Sequence, residues 1–94
     1  MKINGKIYEA PSLNFESMCK LEDWGISVSD LSRRPLACLS GFVALAIGGD
    51  LASGRAEINA HIENGGNLDE LADELNKAVE DSSFFRDRAK KETV

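Results

Sequence analysis

The clearest pattern along the chain is an apolar stripe of Leu68, Leu71, Ala72, Leu75, Ala78 and Val79, whose spacing of three and four predicts an amphipathic helix. Leu36 to Ile47 is apolar at nearly every position, the signature of a helix buried on most sides, and Pro35 suits its first turn. This segment is expected to be the central core helix. Gly48-Gly49 stops it. Ser53 is expected to cap a further helix to about Asn64, with Ile58 and Ile62 facing inward, until Gly65-Gly66. Asn67 with Glu70 repeats the capping logic ahead of the Leu68–Val79 stripe.

Nearer the N-terminus the period changes. Ile3-Asn4-Gly5-Lys6-Ile7-Tyr8 sets Asn-Gly between β-prone residues, and that pair suits the two positive-φ positions of a type I′ hairpin. So short a hairpin needs Ile3, Ile7 or Tyr8 to pack on helices or on a second subunit. A helix from about Phe15 to Trp24 follows, with Asn14 or Ser12 as cap and Gly25 just past its end. Phe15, Met18 and Leu21 share one face, with Cys19 and Trp24 at its margins. Ser27-Val28-Ser29-Asp30 has the form of a capping box opening a short turn that Pro35 ends.

Continuing the last helix would point Ser82 and Arg86 inward and Phe84 outward, so the packed part is expected to end near Glu80. The reading is therefore a mainly α, small α+β fold: a short N-terminal β-hairpin followed by four to five helices around a central apolar helix. Residues 1–83 form one globular domain and residues 84–94 a mobile C-terminal tail.

Charge changes the picture of what such a domain contacts. The net charge of -5 arises entirely in the second half: residues 48–85 hold two basic and nine acidic groups, while residues 1–47 balance. Such a surface repels phosphate backbones and disfavours nucleic acid as a partner. Ser53 to Val79 has the outline of a helix-turn-helix, but Asp69, Glu70, Asp73 and Glu74 would meet phosphates with the wrong sign. The N-terminal residues lack a hydrophobic signal segment, and the longest apolar run is shorter than the roughly 20 residues that span a bilayer. Neither export nor membrane insertion is expected.

Candidate chemistry falls away on inspection. Gly49 to Arg55 approaches the phosphate loop G-x-x-x-x-G-K-[ST], but Arg55 replaces the lysine, Ala56 replaces the hydroxyl, and a predicted helix precedes it where a strand is needed. The acidic cluster lies on the solvent face opposite the apolar stripe and lacks calcium-loop spacing. His61, the only histidine, has no nucleophile pattern beside it and reads as a partly buried edge residue. Cys19 and Cys38 lack the spacing of a disulfide framework or zinc site and read as reduced core residues. No catalytic, cofactor-binding or metal-ligating residue is expected, and no cofactor. For partner binding, Trp24 and the adjacent Phe84-Phe85 pair are the candidates, with Trp24 favoured as packing at the core margin.

The ordered series Ile3-Asn4-Gly5-Lys6-Ile7-Tyr8, Asn14-Phe15 to Leu21-Glu22, Gly25-Ile26-Ser27-Val28-Ser29-Asp30-Leu31, the apolar Leu36–Ile47 and Ile62-Glu63-Asn64-Gly65-Gly66-Asn67-Leu68-Asp69-Glu70-Leu71 resembles the tail assembly chaperones of long-tailed phages and prophages. The resemblance covers about Ile3 to Val79. It departs at Gly48 to Ala56, which is glycine-rich where relatives more usually carry a proline-initiated helix.

The resemblance implies a non-enzymatic protein of the bacterial host cytoplasm, not retained in the mature virion. Such a protein binds the tape-measure protein, helps recruit tail tube protein and self-associates. It also implies a longer frameshifted form, for which Lys90-Lys91 would suit an A-rich slippery codon pair. The competing readings are an acidic prophage-encoded transcription modulator or anti-repressor acting by protein binding, and a small enzyme or nucleotide-binding domain.

Overall fold

Asn4 and Gly5 turn the chain back on itself with φ of 51° and 81°, the left-handed pair that a type I′ turn requires. They join β1 (Lys2–Ile3) to β2 (Lys6–Ile7) in antiparallel register, Ile3 opposite Lys6 and Lys2 opposite Ile7. The computed structural model describes residues 1–82. Directly paired residues share a face, so Ile3 and Ile7 point to opposite sides of the ribbon. Ile3 is fully buried against the helices, Tyr8 packs partly on the core, and Ile7 is 85% exposed. The Met1 amine donates to the Tyr8 carbonyl at 2.7 Å and the Tyr8 N–H donates to the Met1 carbonyl at 2.8 Å, closing the open end.

Helix α1 (Phe15–Asp23) starts at Asn14, whose Oδ1 accepts the Ser17 N–H at 2.9 Å, while the Ser17 hydroxyl donates to the Ser12 carbonyl. At its end the Ile26 N–H reaches back to the Leu21 carbonyl and the Gly25 N–H to that of Glu22, a Schellman closure. The same pair of bonds ends the two helices that stop at Gly48 and Gly65. Leu21 is buried and Met18 half-buried, but Phe15, expected on the same inward face, is 75% exposed. Standing at the first helical position, it overhangs the core rather than entering it.

The capping box expected at Ser27 does not form. The Ser27 hydroxyl hydrogen-bonds that of Ser29 at 2.7 Å, and Asp30 lies 3.9 Å from Arg33. A single 3-10 turn (Val28–Asp30) results, with Val28 buried.

Helix α2 (Pro35–Ile47) is the central element, buried from Cys38 through Ala44, with Phe42 and Val43 almost fully enclosed. It touches the 3-10 turn and both later helices. Helix α3 (Leu51–Glu63) begins three residues earlier than the sequence suggests. The cap is Asp50, not Ser53: the Asp50 carboxylate accepts the Ser53 N–H at 2.8 Å. The helix therefore starts without a proline.

The axes of α2 and α3 meet at 100°. Their approach is close because Gly54 lies under the Ser40 carbonyl, where a Cβ would come within 2.6 Å of that oxygen. Helix α4 (Asp69–Asp81) buries Leu71 and Leu75 and rests Leu68, Ala78 and Val79 on the same core. Its start is tied by Asn67, whose Oδ1 accepts the Asp69 N–H. Glu70, expected to complete a reciprocal box, instead accepts the Lys2 N–H. Ser82 is buried just past the helix, its hydroxyl donating to the Leu13 carbonyl at 2.9 Å. Four α-helices and a short hairpin among the described residues make the fold mainly α with a small β part, as the periodicity predicts.

Candidate functional site

The clearest structural role among the sequence candidates is that of His61. His61 half-buries its ring on α3, where Nδ1 accepts the Asn4 N–H at 2.8 Å and Nε2 lies 3.1 Å from the Asn67 carbonyl. A carbonyl only accepts, so Nε2 carries the hydrogen and the ring is the neutral Nε2–H tautomer. The Asn64 amide adds a bond to Asn4 Oδ1 at 2.6 Å. Both ring nitrogens thus clamp the hairpin turn to the α3–α4 joint.

Gly49 and Asp50 form a tight link leaving a helix, and Gly54 is enclosed by α2, so the near-phosphate-loop has no open cradle. Asp69, Glu70 and Asp73 are exposed on the outer face of α4, and Glu74 sits 3.9 Å from Lys77. Among the described residues no group of three or more His, Cys, Asp or Glu is placed to hold a metal ion. Both cysteines are free. Burial, then the nearby Asp30 carboxylate, pushes the Cys38 thiol up against an opposing effect of Arg34, the reverse of what a reactive thiolate needs. No single helix among the described residues is long and apolar enough to cross a membrane.

Another surface carries more. Because α2 and α3 diverge from their crossing at Ser40 and Gly54, they leave a V-shaped groove of about 290 Å3. Leu36 and Leu39 form one wall, Ile58 and Ile62 the other, and Leu68 contributes from the start of α4. Leu36 is 67% exposed and Ile62 47% exposed. The expectation that Ile62 faces the core is corrected: it lines the open groove in the last turn of α3. At the groove's edge stands Arg55, exposed, its side chain without a hydrogen bond or ion pair among the described residues.

Of the residues expected to bind a partner, Trp24 is half-buried at the end of α1 and packs on the core. Phe84 and Phe85 lie outside the described residues. Leu36, Ile62 and Arg55 were not legible as a site. The one available signal was that α2 is apolar all round, so any stretch its neighbours leave uncovered exposes apolar surface. No protein-family model matches the chain, and comparison with curated proteins and with solved structures gives no match.

Proposed function

We propose that this chain acts without chemistry of its own, as an assembly chaperone for the tail of a long-tailed phage or prophage. In this reading it binds the tape-measure protein in the host cytoplasm and helps recruit tail tube protein. The observation that carries the reading is the open apolar groove between α2 and α3, where Leu36 on one wall and Ile62 on the other stand exposed on a small helical body. Large apolar side chains grouped on a surface mark contact sites, and a groove walled by helices suits another helix. Among the described residues the groove's polar lining is Ser40, Arg55 and Asn59, with no buried charge of the kind that orients a small substrate.

Co-expression with the tape-measure protein encoded in the same phage or prophage tests the reading. The soluble fraction of that partner is expected to rise, and the two chains to co-purify. Unchanged solubility, with a DNA-binding protein recovered in place of the tape-measure protein, would overturn it in favour of an anti-repressor. Truncation after Ser83 measures the share of Phe84 and Phe85: the solubilising effect is expected to fall if the pair contacts the partner.

A further inference from the structure

We propose that the α2–α3 groove receives an amphipathic helix from the partner, which seats apolar side chains between Leu36/Leu39 and Ile58/Ile62 and sets a carboxylate against Arg55. This deepens the chaperone reading and rests on it for the partner's identity. The occupant's backbone follows from the walls. Both walls are α-helical, with their peptide groups directed along the helix axes, so the groove offers no strand edge to an extended segment. A segment entering it must satisfy its own backbone, as a helix does.

The occupant's charge follows from the rim. On a chain of net charge -5, the described residues that line the groove include no acidic side chain and a single cation, Arg55, whose side chain has no partner among the described residues. A guanidinium beside an apolar floor pairs best with a carboxylate that reaches it from the docked segment. A second copy presenting the same groove would bring no carboxylate from its described lining to Arg55, so it is the poorer occupant.

The test uses the full chain and a synthetic helical peptide carrying Leu at i, i+3 and i+7 with one Glu on the flank of that stripe, alongside its Glu→Lys counterpart. Fluorescence anisotropy gives the affinity and amide chemical shifts give the site. The Glu peptide is expected to bind, shifting amides around Leu36, Arg55 and Ile62, and the Lys peptide to bind about tenfold more weakly. Arg55→Glu is expected to invert that preference. Leu36→Ser and Ile62→Ser are each expected to weaken binding about tenfold, and to leave the melting temperature within about 4 °C because both side chains are already exposed.

Equal affinity for the two peptides, affinity unmoved by Leu36→Ser and Ile62→Ser, or no binding would each overturn the groove assignment. The tape-measure co-expression separates the two ideas. If the wild type solubilises that partner and Leu36→Ser/Ile62→Ser does so equally, the groove is wrong and the chaperone reading stands. If the wild type fails there while the Glu peptide still binds at the groove, the chaperone reading falls and the helix-docking site stands.

Discussion

His61 shows how one side chain organises structure without chemistry. Its two ring nitrogens serve the Asn4 N–H and the Asn67 carbonyl, and Gly66 lies so close to Nε2 that any Cβ there would displace the ring. His61→Ala is expected to cost about 1–3 kcal/mol, since it leaves a partly buried N–H without its acceptor. Gly66→Ala should destabilise by the same route, through the ring it pushes aside. Urea denaturation of the two single variants and the double variant checks this. The double variant should cost about 1 kcal/mol less than the two singles together, because the bonds can be lost only once. Strict additivity would mean that Gly66 and His61 act independently.

Among the elements, the α2–α3 pair carries the most stability information, and two glycines separate its causes. A Cβ on Gly54 meets the Ser40 carbonyl and the Ala44 backbone, which cannot move without shifting a helix. Gly54→Ala is expected to destabilise by about 1–2 kcal/mol, the overpacking cost exceeding the helix-propensity gain of about 1 kcal/mol. At Gly41 the obstructing atoms are the methyl ends of Leu21 and Ile26, which can rotate away. Gly41→Ala should therefore stay within about 1 kcal/mol of the wild type; equal losses at both positions would contradict this account.

The cap of α3 adds a pH dependence. Hydrogen bonds from the Ser53 N–H and then its hydroxyl hold the Asp50 carboxyl below the usual aspartate range. The folded chain binds this proton less readily than the unfolded one, so Asp50 contributes stability above the unfolded aspartate range and loses it as pH falls through the depressed folded value. Asp50→Asn keeps a cap that accepts the same N–H and should flatten that acid limb of the stability profile. An unaltered limb would assign the loss to other carboxylates.

These elements also mark what a sequence discloses. The turn at Asn4-Gly5, the cap at Asn14 and the stops at Gly25, Gly48 and Gly65 were readable because each depends on a residue and its near neighbours. The choice of Asp50 over Ser53 was not. Both cap well, and the three-residue link after α2 decided between them. Phe15, Leu36 and Ile62 escaped because periodicity ranks the faces of a helix but does not say where a neighbouring helix ends.

At the scale of the whole molecule, both ends of the described chain are tied across it. The Ser82 hydroxyl joins Leu13 over 69 residues, and His61 joins the hairpin turn over 57. The helices between have local partners, α2 and α3 being joined by a three-residue link. One consequence concerns time. Closing a loop of 57 residues costs about 3–4 kcal/mol of chain entropy before its contacts return anything, whereas the α2–α3 corner closes over a few residues. The corner is the natural nucleus and the hairpin a latecomer to the transition state. In stopped-flow chevrons, loss of the His61 clamp should therefore quicken unfolding and leave the folding limb nearly unchanged, while Gly54→Ala should slow folding. The bonds that fasten the first residues to the rest thus govern how long the native state lasts, and the helical corner governs how soon it is reached.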